Sequence, residues 1–154
     1  VTEPLFLKVL VRYSLVLALV SGAACSRDDR VRAEAHTFLA LYRATDHRAP
    51  IAERERKILQ LEQLTLSEEA VRTARDQCVG AHRALIRAER ENEAAAGQLD
   101  RAISAQPDGG SLMATDTARI RAEIDRAEGS LSDARGRFEK CEAQARTLSL
   151  RFGA

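Results

Sequence analysis

The chain has 154 residues, enough for one domain, with 31% charged residues and a net charge of +1. Aromatics make up 4%, tryptophan is absent, and only three prolines and eight glycines interrupt the sequence, which disfavours a large β-sandwich or barrel core and suits long helices. Basic residues are nearly all arginine, form no block and are balanced by acids, so no electrostatic footprint for nucleic acid is present.

The N-terminus reads as an address. Lys8 and Arg12 precede the apolar run "YSLVLALV", and the small residues "SGAA" follow it. A basic region, a short apolar region and small residues, in that order, form a secretory signal. An uncleaved anchor is the other reading, with Lys8 and Arg12 lying inside the roughly 20 residues that a membrane span needs. The stretch "VSGAAC", residues 20–25, resembles the lipobox of bacterial lipoprotein precursors. The resemblance implies that Cys25 is lipidated and becomes the first mature residue, with 1–24 removed as signal peptide and 25–29 left as a lipid-attached linker. It implies the bacterial cell envelope, and Ser26 after the cysteine implies the outer membrane, facing the periplasm. Gly22 stands where that class commonly carries Leu. Ordinary cleavage after Ala23 or Ala24, giving a periplasmic protein, and retention in the inner membrane are the alternatives.

Four helices are expected in the domain over 30–154. Val31, Ala35, Phe38 and Tyr42 recur at helical spacing, predicting a helix over about 30–46. "DHRAP" ends it, because the residue before a proline is pushed from α geometry and Pro50 can then open the next helix. That helix, about 50–64, carries Ile51, Ile58 and Leu61 on one face under a charged "ERERK". "TLSEEAV" marks a third start, with Ser67 as N-cap and Leu66 and Val71 as a hydrophobic staple.

Two heptad seams follow. The first runs Val71, Ala74, Cys78, Ala81, Leu85, Ala88, Asn92, Ala95, Leu99, Ala102, and the second Thr117, Ile120, Ile124, Ala127, Leu131, Ala134, Phe138, Cys141, Ala145, Leu148. The turn between them, Gln106, Pro107, Asp108, Gly109 and Gly110, is short enough to require antiparallel neighbours. If facing positions sum to 219, Val71 meets Leu148, Cys78 meets Cys141 and Ala81 meets Phe138, so that small residues mostly oppose large ones. The expected fold is therefore all-α: an antiparallel coiled-coil hairpin of helices about 68–105 and 114–152, with the two shorter helices packed at the anchored end. Val79, His82 and Ile86 form a second stripe on which those helices would dock.

With Cys25 set aside, Cys78 and Cys141 form an even pair, and an oxidising compartment favours a disulfide. A metal site of Cys78, His82 and Cys141 with Glu142 is disfavoured for the same reason, and no metal or cofactor is expected. Asn92 reads as a polar core residue that sets register. No residue constellation points to catalysis, so the chain is not expected to be an enzyme. The best reading is a structural or adaptor lipoprotein whose tip, Gln106–Gly110, contacts an envelope protein, with a membrane contact through the lipid. Alternatives are a periplasmic holdase, or a thiol or metal sensor on Cys78 and Cys141. The Ala-rich seams also permit a homodimer of hairpins.

Overall fold

The structure is a computed structural model, which describes residues 27–105 and 114–153. Cys25 and the Gln106–Gly110 turn lie outside the described residues. Every regular element among the described residues is helical: α1 (27–43), α2 (Ile51–Glu62), α3 (Glu69–Ser104) and α4 (Ala114–Phe152).

The punctuation acts as expected at the first corner. α1 stops at 43, and Asp46 accepts the Arg48 amide on its Oδ1 at 2.8 Å, folding the loop back on itself. Pro50 is extended (φ −51°, ψ 144°), and its carbonyl accepts the amides of Glu53 and Arg54. It is thus the cap of α2, where a missing N–H costs nothing.

The start of α3 differs from expectation. Glu68 occupies the cap position, and no cap side chain bonds there. Ser67 donates its hydroxyl to Glu34 of α1, and the same carboxylate accepts the backbone amides of Ser67 (2.9 Å) and Glu68 (3.1 Å). A carboxylate carries two acceptor oxygens and a full charge, so it satisfies three donors where a hydroxyl would satisfy one. Leu66 and Val71 are both buried, as the staple requires.

α3 and α4 form the principal contact of the molecule. Cys78 pairs with Cys141, Arg87 with Asp133 and Gln98 with Arg119, so positions rise on one helix as they fall on the other. Val71, Ala74, Ala81, Ala134, Ala145 and Leu148 are buried along this line.

Beyond Ala81 the expected seam is kept in part. Ala88 and Ala95 are buried, Leu85 and Leu99 are half-buried, and Ala84, outside the seam, is buried as well. Asn92 is exposed while Glu91 beside it is half-buried, correcting the reading of Asn92 as a polar core residue. The physical gain is plain: alanines fill the dry layers, and an amide that would need a buried partner stays in water. Leu131, expected to face Ala88, is likewise 37% exposed, and Thr117 is exposed.

α1 and α2 cover α3 around the cysteine pair. Phe38, Leu39, Ile58, Leu61, Val71 and Val79 share one buried cluster with both cysteines. Fully burying side chains of this size contributes about 1.5–3 kcal/mol each. α2 runs opposite to α3, joined by Glu62–Arg83 (2.6 Å), Glu55–Arg90 (2.7 Å) and Arg54–Glu89.

Candidate functional site

Two features stand out around the second stripe of α3: a polar centre beneath α1 and α2, and an open groove beside it. The polar centre begins with α2. Ile51, Arg54, Ile58 and Leu61 repeat at steps of three and four, so Arg54 sits inside the apolar stripe although its neighbours in "ERERK" face outward. It is only 4% exposed. Its guanidinium meets the Glu89 carboxylate of α3 through two hydrogen bonds, one of 3.0 Å from Nη1 to Oε1 and a second from Nη2 to Oε2. Its Nε has no partner. Glu89 is 30% exposed, so the anion keeps contact with water and the cation does not.

Two turns nearer the disulfide along α3 lies His82, which is 2% exposed. Its ring stands edge-on to Phe138 of α4 (4.8 Å) and to Tyr42 of α1 (6.3 Å). Neither ring nitrogen has a hydrogen-bond partner. Burial lowers its pKa to about 4, with the charges of Arg54 and His47 adding to the effect. His82 is therefore a neutral packing group, more deeply buried than its sequence context suggested. Burial also raises the Tyr42 phenol, helped by the nearby Glu142 carboxylate.

Cys78 and Cys141 are joined, with a Cα–Cα distance of 4.7 Å, and both are fully buried. Bonded to each other, they offer no thiolate to a metal or a substrate. Among the described residues, no three His, Cys, Asp or Glu side chains are placed to hold a metal ion.

The groove lies between α2 and α3 and has a volume of about 570 Å³. Ile58, Leu59, Ile86 and Ala94 give it an apolar floor, and Arg83, Arg87 and Arg90 rim it. Leu59 is 51% exposed there. Glu55 and Glu91 also line it, Glu55 accepting from Arg90. An apolar floor under paired charges can hold a hydrophobic segment. Behind α3 and α4, a second depression is lined by Gly80, Gly136, Asp76, Asp133, Arg137 and Lys140.

Sequence reasoning identified Cys78, Cys141, Val79, His82 and Ile86 as neighbours, and the structure brings them together. It missed Arg54, Glu89 and Glu34. The period of α2 carried the signal for Arg54, whereas Glu34 is 33 residues from the amides it caps and leaves no local trace. Among the described residues, no helix is long and apolar enough to cross a membrane. Comparison with family models, with curated proteins and with solved structures returns no match.

Proposed function

We propose that the chain is a bacterial cell-envelope lipoprotein that acts as a structural or adaptor module. In this reading Cys25 carries the lipid, α3 and α4 form an antiparallel coiled-coil hairpin, α1 and α2 pack at the anchored end, and the Gln106–Gly110 tip meets a protein partner. The outer membrane facing the periplasm is the expected location.

One observation carries the reading. The Cys78–Cys141 bond is buried in the α3–α4 contact, and disulfides of this kind belong to oxidising compartments such as the periplasm. That agrees with the export signal read independently in "VSGAAC". Lipidation is tested by mass spectrometry of the mature N-terminus: a diacylglyceryl-modified Cys25 supports the reading, and a chain beginning at unmodified Ala24 or Cys25 sinks it. Crosslinking from the tip in intact cells, with identification of the captured protein, tests the adaptor role. Loss of the crosslink on replacing Pro107 and Asp108 is the expected result.

The groove at Ile58, Leu59 and Ile86 favours a second reading, a holdase for apolar segments. Suppression of client aggregation by the folded protein, lost in Leu59→Glu, would support it. A thiol sensor fits less well, because both sulfurs lie where reductant has no direct access.

A further inference from the structure

The ties holding α1 and α2 to α3 differ in kind from those holding α3 to α4. α3 and α4 are joined mainly by a covalent bond and layers of alanine, neither of which responds to protons, with a single long ion pair, Arg87–Asp133 (3.9 Å), among the described residues. Across to α3, the cover is held by Glu34, Glu55, Glu62 and Glu89, each a carboxylate accepting from a donor on the opposite element. Beneath it lies a buried imidazole with no hydrogen-bond partner. Other ties, Arg43 to Ser149 of α4 and Arg75 to the Leu64 carbonyl, are indifferent to acid.

We propose that α1 and α2 form an acid-released cover: protonation of the buried His82, and of Glu34 at the start of α3, lifts the two short helices off α3, exposing an apolar face while the disulfide keeps α3 and α4 together. The face uncovered carries Val79 and Ile86, and the cover's underside carries Phe38, Ile58 and Leu61. This goes beyond the proposed function and does not depend on lipidation or on a partner.

The groups around His82 all act in one direction. α2 presents Arg54, the loop after α1 presents His47, α1 presents Tyr42 and α4 presents Phe138, so no anion waits to receive an imidazolium. Glu89 is held by Arg54, so it does not face the imidazole as a free anion. At the far end, burial pushes the Glu34 carboxyl up, but the Ser67 hydroxyl and the two amides outweigh this and hold it below its ordinary value. Its cap is therefore present above that value and lost as acid protonates it.

The sign for His82 follows from linkage. Undocked, its ordinary value is 6.5; docked, it is about 4. Between these pH values the undocked state binds a proton that the docked state refuses, so docking weakens as pH falls. At tenfold per pH unit, His82 alone lowers the docking equilibrium by up to about 300-fold.

The test uses the purified full chain with its disulfide intact, titrated from neutral pH to about pH 3 while an apolar dye and the far-ultraviolet helix signal are followed together. The expected result is a rise in dye fluorescence below pH 6.5 with most of the helix signal retained. In His82→Phe the rise moves to lower pH, because Glu34 alone then drives release. Arg54→Met/Glu89→Met, which replaces the ion pair with apolar contact, keeps the His82-dependent phase and serves if His82→Phe folds poorly. Dye and helix signals changing together would overturn the proposal, as would no dye binding down to the end of the titration. A rise at unchanged pH in His82→Phe would overturn the role given to His82.

Discussion

Reducing the Cys78–Cys141 bond is the most direct perturbation of this fold. The two cysteines are 63 residues apart in sequence. In the chain-entropy model, a cross-link closing a loop of that size lowers the entropy of the unfolded chain enough to stabilise the folded state by about 4 kcal/mol. For a chain of this length, each kcal/mol corresponds to about 3 °C in Tm, so reduction is expected to lower Tm by about 12 °C. The packing of α3 against α4 is otherwise unchanged, since both thiols still fill the Cys78–Cys141 layer. The assay is urea denaturation followed by far-ultraviolet circular dichroism, with and without reductant, alongside Cys78→Ala/Cys141→Ala. Reduction should also steepen the denaturant dependence, because the uncrosslinked chain exposes more surface on unfolding. The double variant should be weaker still, by the packing of two buried sulfurs. A loss below about 1 kcal/mol on reduction would refute the reasoning, since it would mean that the unfolded chain already holds α3 and α4 together.

Three further predictions concern single positions. Glu89→Met should cost more than Arg54→Met, about 3–4 against about 2 kcal/mol in chemical denaturation, because it strands a buried cation whereas the reverse change leaves an anion that water reaches; combining both should recover much of the loss. Gly80→Ala and Gly136→Ala should each stabilise by about 0.5–1 kcal/mol, since an added Cβ at either position meets nothing within 4 Å and helical glycine carries an entropy cost; thermal unfolding checks this. Asn92→Ala should change stability by no more than about 0.5 kcal/mol, as surface substitutions do. A large effect there, or a change in oligomeric state by sedimentation, would return Asn92 to the core.

Much of this architecture was legible because it rests on repeating signals. Pro50 and the loop before it separate two apolar stripes, and the alternation of three and four places Cys78 opposite Cys141 without any structural input. The heptad rule failed where it treats all positions of a seam alike. Nothing in the spacing of Asn92 distinguishes it from Ala88 or Ala95, and its exposure reflects the cost of drying an amide, which periodicity does not record. Arg54 was hidden for the opposite reason. Its charge drew it into "ERERK", although its position in the stripe of Ile51, Ile58 and Leu61 already placed it inward. Glu34 was out of reach altogether, because a cap supplied from another helix depends on tertiary placement. The polar centre follows from the first of these omissions.

The disulfide also has a mechanical consequence. It does not sit at the end of the α3–α4 pair but about 39 Å from Ser104, counting 26 residues at helical rise. A force separating Ser104 from Ala114 would peel the two helices apart layer by layer, through Ala95, Ala88 and Ala81, and then meet a covalent bond. The buried residues behind it, Val71, Ala74, Ala145 and Leu148, carry none of that load. α2 packs against α3 and shares a buried cluster with α1. The molecule thus divides into a length that can be unzipped and refastened and a length that is clamped, with the boundary set by one cystine.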